Sequence, residues 1–221
     1  MNWAKLIDHT YLKPEATSKD INKLIDEAKQ YQFKTICVNS SWVKFAKEKL
    51  ENTDIGITAV VGFPLGAMIT QAKVQEAKLA INHGANEIDM VINIGRLKEK
   101  KYDYVLNEIK AIKKEIGNSI LKVIIETALL TKEEIKKATE IVVNAKADFV
   151  KTSTGFSYRG ATFEDIELMA SVTKGQIAIK AAGGIKTLDD LAKMYELGAT
   201  RFGTSSSVKI LENKTVKSSE Y

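Results

Sequence analysis

The sequence predicts an α/β chain closed into a single (β/α)8 TIM barrel, and three observations carry that prediction. A strand–turn–helix pattern recurs eight times in 221 residues, about 28 residues per unit, the spacing of a compact barrel of this kind. The strand segments are mostly apolar rather than cleanly alternating, as in Val123-Ile124-Ile125, which suits a parallel sheet covered by helices. The segments between them carry helical periodicity. An open doubly wound sheet is the competing arrangement; it differs in strand order, which no sequence displays.

Taken in order, strands are expected at residues 6–10, 35–39, 57–63, 87–93, 121–127, 149–154, 177–182 and 200–205. After the first, Ile21, Leu24, Ile25 and Ala28 follow i, i+3, i+4, i+7, the stripe of an amphipathic helix. Val105, Ile109, Ile112 and Ile116 repeat that stripe before the fifth strand. Thr131 with Glu134 forms a capping box ahead of Ile135, Ala138, Ile141 and Val142. Thr187 and Asp190 mark a similar helix start, and His83 before Gly84 reads as a helix C-terminus. Pro14 and Pro64, the two prolines, fall in turns. No linker interrupts the chain, so one catalytic domain is expected over residues 1–214, followed by a flexible tail over 215–221.

Composition narrows the function. With 44% hydrophobic residues the chain can bury a sizeable core, yet no apolar run approaches the roughly 20 residues of a membrane span. The segment Met1-Asn2-Trp3-Ala4-Lys5, soon followed by Asp8 and His9, is not a signal peptide, so the cytoplasm is the expected compartment. One cysteine, Cys37, excludes an internal disulfide and a cysteine-cluster metal site; it reads as a strand core residue. Two histidines, His9 and His83, make a histidine-rich metal site unexpected. The net charge of +5 raises nucleic acid as a partner, but the lysines stand beside glutamates, as in Lys132-Glu133-Glu134, which is the pattern of solvated helix faces. No nucleic-acid and no membrane partner is expected. A mildly basic surface suits a small anionic substrate.

The segment from Ala147 to Phe156 carries the chemistry. It sets Lys151 in an apolar strand, and Lys180 repeats the oddity in the strand ending Ala181-Ala182-Gly183-Gly184. Lysine is seldom fully buried, and burial disfavours its charged form. A neutral lysine amine is a nucleophile able to form a Schiff base with a carbonyl. Side-chain parity puts Phe149, Lys151 and Ser153 on one face, Lys180 on the face opposite Ile177 and Ile179, and Asp89 with Asn93 opposite Ile88, Met90 and Ile92. Two amines and a carboxylate then converge inside the barrel. The carboxylate keeps one lysine protonated, and that cation together with burial lowers the pKa of the other. A shift of roughly three units is needed for action near neutral pH. One strand lysine is equally explained by a structural ion pair; two with an aspartate favour chemistry.

Two glycine-bearing turns, Gly183-Gly184 and Gly203-Thr204-Ser205-Ser206, each end a strand and open a helix. They occupy the positions that bind phosphate in many barrels of this class. Asp8, His9 and Thr10 close the first strand and are read as candidates for a proton relay. Glu126, at a strand end, is read either as site lining or as a supporting group. Tyr221 reads, on composition, as part of a frayed tail.

At these residues the chain resembles the class I, metal-independent deoxyribose-phosphate aldolase family over nearly its whole length. The blocks that carry the resemblance include Ile7-Asp8-His9-Thr10, Cys37-Val38-Asn39, Val61-Gly62-Phe63-Pro64-Leu65-Gly66 and Glu87-Ile88-Asp89-Met90. Val123-Ile124-Ile125-Glu126-Thr127, Lys151-Thr152-Ser153-Thr154-Gly155-Phe156 and Lys180-Ala181-Ala182-Gly183-Gly184 continue it. The resemblance implies Lys151 as the Schiff-base lysine, with Asp89 and Lys180 tuning it and moving protons. It implies Gly183, Gly184, Ser205 and Ser206 at the substrate phosphate, Thr154 near the substrate, and Asp8 and Thr10 in a supporting polar network. Tyr221 matches a terminal tyrosine that reaches the site in many members, and Phe156 stands where some relatives carry a phosphate-reaching lysine. The implied substrate is a small phosphorylated sugar, with no cofactor, no metal and a possible homodimer. A Schiff-base-free isomerase using Asp89 as general base, and a non-catalytic phosphometabolite-binding protein, are the other readings of the same residues.

Overall fold

A computed structural model describes residues 1–214; the tail expected over 215–221, including Tyr221, lies outside them. Eight parallel strands close in chain order into a barrel: β1 (Ile7–Thr10), β2 (Thr35–Asn39), β3 (Gly56–Val61), β4 (Glu87–Val91), β5 (Ile120–Ile124), β6 (Phe149–Lys151), β7 (Ala178–Ala182) and β8 (Ala199–Thr204). β8 pairs with β1, and this closing ladder decides against the open sheet. The intervening helices are α1 (Ser18–Tyr31), α2 (Val43–Lys49), α3 (Thr70–Asn82), α4 (Ile94–Lys98), α5 (Tyr102–Ile116), α6 (Lys132–Asn144), α7 (Phe163–Thr173), α8 (Leu188–Glu196) and α9 (Ser207–Leu211).

The helix stripes read from the sequence face inward. Ile21, Leu24, Ile25 and Ala28 of α1 are buried, as are Val105, Ile109, Ile112 and Ile116 of α5. They pack against the outer faces of the strands, where Ile7, Ile36, Ile88, Leu121, Val123, Val150 and Phe202 are fully enclosed. Each such side chain contributes about 1.5–3 kcal/mol of transfer free energy. The capping boxes at Thr131–Glu134 and Thr187–Asp190 both form, and Thr162–Asp165 supplies another at α7.

Several strands stop earlier than their apolar runs. β6 ends at Lys151 rather than residue 154, β4 at Val91 rather than 93, and β5 at Ile124 rather than 127. Beyond these ends, at the carboxyl end of the barrel, isolated backbone bonds persist, with the Ile92 N–H donating to the Ile124 carbonyl at 3.1 Å and the Thr152 N–H to the Lys180 carbonyl at 3.1 Å. Asn93, expected on the Asp89 face, instead caps α4 by accepting the Arg96 N–H at 3.1 Å.

The barrel interior departs from the usual layers of Val, Ile and Leu. Asp8, Glu87, Asp89, Lys122, Lys151, Lys180 and Arg201 are all buried there. Ladder register makes several of them direct neighbours: Asp89 opposite Lys122, Lys151 opposite Lys180, and Lys180 opposite Arg201. Cys37 lies on this inner face too, in a small apolar cluster with Leu12, Val60 and Phe63.

Candidate active site

Lys151 is the last residue of β6, and its outward neighbour Val150 is fully buried in the helix layer, so the amine enters the barrel. The Lys151 ammonium donates to Asp89 Oδ2 at 2.7 Å, and Lys180 donates to the same oxygen at 2.7 Å. Two amines thus share one carboxylate oxygen, the convergence that strand parity predicted. Lys151 keeps 4% side-chain exposure, whereas Lys122 and Lys180 keep none, so Lys151 is the interior amine that a solute can reach.

Further groups enlarge this centre. Asp8, expected in a proton relay or a supporting polar network, is a direct partner of Lys180 at 2.5 Å, and its other oxygen accepts from Arg201 at 2.7 Å and Thr35 at 2.9 Å. The strand lysines number three rather than two. Lys122 donates to Asp89 Oδ1 at 2.8 Å and lies 2.5 Å from Glu87 Oε2, and Glu87 also accepts from Arg201 at 2.9 Å. Lys122, Glu87 and Arg201 were missed. The signal was present for two of them: Lys122 alternates with Leu121 and Val123, and Glu87 stands two residues before Asp89. His9, grouped with Asp8 in the sequence, points the other way, bonding Ser207 at 3.0 Å and Glu27 at 2.8 Å among the helices, and so leaves the interior relay.

The surrounding charges set the two amines apart. Three carboxylates face four cationic groups, so the interior balances when one lysine is neutral. Burial pushes Lys151 below the usual lysine range, and the Lys180 ammonium adds to that; Asp89 opposes both and is outweighed. Burial also works against the Lys180 ammonium, but Asp8 and Asp89 overcome it and hold this lysine above its ordinary value. Burial would raise Asp89, yet Lys122, Lys151 and Lys180 hold it well below the carboxylate range. A cation therefore stands beside an amine disposed to lose its proton.

Around this centre the predicted contacts divide. Thr154 donates its backbone N–H to Glu126 Oε2 at 3.2 Å and its hydroxyl to the same oxygen, and it accepts the Phe156 N–H at 3.0 Å. Glu126 thus supports Thr154. Its backbone is left-handed, with φ 55°, and burial pushes its carboxyl up. Gly183 and Gly184 turn with φ 67° and 75°, in the region that favours glycine. The loop before α7 lies directly on them: a Cβ at Gly160 would sit 2.3 Å from the Gly183 carbonyl carbon. Ser205 and Ser206 line a cleft of about 880 Å³ together with Thr10, Gly155, Phe156 and Ser157. That cleft opens beside the β8 turn; Lys151, Asp89 and Lys180 lie outside its lining. Thr10 also donates to the Asp8 backbone carbonyl at 2.8 Å. Among the described residues no cluster of three or more His, Cys, Asp or Glu side chains is arranged to hold a metal ion.

Residues 3–212 match the family model of the DeoC/LacD family aldolases. The chain belongs to that family. It is 64% identical over 220 residues to the deoxyribose-phosphate aldolase of Mycoplasmopsis synoviae (strain 53), covering 98% of this chain and 99% of that one. The deoxyribose-phosphate aldolase of Mycoplasmopsis pulmonis (strain UAB CTIP) is likewise 64% identical, over 217 residues, with the same coverage. Among solved structures, a putative deoxyribose-phosphate aldolase from Coccidioides immitis superposes with a TM-score of 0.94 at 43% identity, covering 96% of this chain and 85% of that one. The tetrameric deoxyribose phosphate aldolase from Aeropyrum pernix superposes with a TM-score of 0.86 at 31% identity, covering 95% and 89%.

Proposed function

We propose that this aldolase reversibly cleaves 2-deoxy-D-ribose 5-phosphate to D-glyceraldehyde 3-phosphate and acetaldehyde through a Schiff base on Lys151. The observation that carries the proposal is the shared Asp89 oxygen, with a reachable amine on one side and an enclosed cation on the other. Neutral Lys151 attacks C1 of the open-chain sugar to give a carbinolamine, which loses water to leave an iminium ion. The iminium is the electron sink. The C3 hydroxyl passes its proton to a water held by the Asp89–Lys180 pair. The C2–C3 bond then breaks, its electrons forming the enamine, while C3 becomes the aldehyde of glyceraldehyde 3-phosphate. Return of that proton from the water to the enamine carbon restores the iminium, and hydrolysis of the iminium by water releases acetaldehyde and Lys151.

Gly183, Gly184, Ser205 and Ser206 hold the phosphate in this reading, and Thr154 orients the sugar. Binding energy from that remote group positions C1 against the amine. The isomerase reading needs Asp89 alone as its base and leaves the exposed edge of the Lys151 amine, beside the enclosed Lys180 cation, without a task. Assembly as a homodimer and residence in the cytoplasm belong to the same proposal; sedimentation and cell fractionation test them.

Borohydride added with acetaldehyde should trap one covalent adduct, mapped by peptide mass to Lys151. Turnover with Lys151 left unmodified after saturating treatment would overturn the Schiff-base reading in favour of the isomerase.

A further inference from the structure

The residues that set the state of Lys151 extend beyond the pair that touches it. We propose that Glu87 and Arg201, which face the interior beside the lysine network, are positioning residues whose opposed charges fix the protonation state in which Lys151 meets substrate. The proposal deepens the aldolase reading and rests on it.

The geometry forms a closed chain of contacts. Arg201 Nη1 bridges Asp8 Oδ1 at 2.7 Å and Glu87 Oε2 at 2.9 Å. Glu87 Oε2 lies 2.5 Å from Lys122, which reaches Asp89 at 2.8 Å, while Asp8 reaches Lys180 at 2.5 Å. Both branches end on the carboxylate that holds Lys151. The Arg201 guanidinium also lies 5.4 Å from the centre of the Phe149 ring. Neither Glu87 nor Arg201 contacts Lys151 directly.

The groups facing Lys151 can be taken strand by strand. β1 offers Asp8 and β2 the buried thiol Cys37. β3 contributes the uncharged hydroxyl of Thr58, which accepts from Lys122 at 3.2 Å. β4 brings Glu87 and Asp89, β5 brings Lys122, and Glu126 lies just beyond β5. β7 and β8 complete the ring with Lys180 and Arg201. In such an enclosure, water screens little, so a charge added or removed a few ångströms away is felt at the amine.

Opposite charges in one enclosure demand opposite effects. Arg201→Met removes a cation and makes protonated Lys151 easier to hold, so the acid limb of kcat/KM should move to higher pH by about one unit. Glu87→Gln removes an anion at nearly constant shape, and the same limb should move to lower pH by about one unit. Arg201→Lys keeps the charge and should restore the parent limb. The double variant Arg201→Met/Glu87→Gln removes a neutral pair and should fall near the parent. A purely structural role would lower kcat without moving the limb in opposed directions.

The experiment measures kcat/KM against pH, together with the pH dependence of borohydride trapping by acetaldehyde, on the full chain. Opposed shifts in both readouts support the proposal. If Arg201→Met does not fold, Glu87→Gln carries the sign by itself: a limb unmoved, or moved to higher pH, overturns the inference. A parent enzyme that forms no adduct on Lys151 overturns the aldolase reading instead, so the two failures are distinguishable.

Discussion

Replacing Lys180 by Met tests the electrostatic centre of the site. Both Lys151 and Lys180 lie 2.7 Å from Asp89 Oδ2, so their nitrogens are no more than about 5.4 Å apart, twice that distance. Two unit charges at that separation, with an effective dielectric near 20, repel by about 3 kcal/mol, or roughly two pH units on a neighbouring amine. Lys180→Met removes the repulsion, so the pKa of Lys151 rises and the acid limb of kcat/KM moves up by about two units. Below that limb the rate at a given pH falls about 100-fold. Asp8 keeps Arg201 and Thr35, and Asp89 keeps Lys122 and Lys151, so neither carboxylate is left unpaired. The fold nonetheless loses one partner of a buried network, a cost of about 3–5 kcal/mol. Circular dichroism and thermal melting therefore accompany the kinetics, with Lys180→Arg as the charge-retaining control. A folded Lys180→Met enzyme whose acid limb stays where the parent's lies would refute the reasoning, because burial alone would then account for Lys151.

Other expectations follow from contacts elsewhere. Gly160→Ala would drive a methyl to within 2.3 Å of the Gly183 backbone; we expect KM for the phosphorylated substrate to rise more than kcat falls, with overpacking costing about 1–3 kcal/mol in urea unfolding. Lys73, fully buried on α3, lies 2.9 Å from Glu108 and donates to the Val91 carbonyl at 2.8 Å. Lys73→Met should destabilise by about 3–5 kcal/mol, and adding Glu108→Leu should recover most of that by thermal melting. Asp8 and Asp89, both held below the ordinary carboxylate range, contribute stability that is present above about pH 4, begins to be lost as pH falls below their unfolded values, and goes on being lost until pH reaches their lowered folded values. Urea unfolding at fixed ionic strength should lose about 2 kcal/mol between pH 4 and pH 3.

The site was partly legible in one dimension. Strand parity was enough to bring Asp89, Lys151 and Lys180 inward, because alternation is local to each strand. The same rule reaches Lys122, but the apolar run Val123–Ile125 beside it masks the alternation that sets Lys122 apart. Arg201 was harder: a register shift between Ile179 and Lys180 where β7 pairs with β8 sets its height in the barrel, and nothing in either strand announces that. Glu126 was undecidable from the chain alone, since its role rests on a left-handed backbone that turns the carboxylate onto Thr154.

Local chemistry along the chain determined the repeat of strand and helix, the inward helix stripes, the caps, and the presence of lysines where strands should be apolar. These follow from periods of two and 3.6 residues and from side chains three or four positions apart. Closure of the barrel decided that Asp8, from the first strand, lies between Lys180 of β7 and Arg201 of β8, and that two amines meet on one oxygen of Asp89. Coulomb's law acts across space rather than along the sequence, so the charge state of Lys151 exists only once residues up to 193 positions apart have been folded into contact.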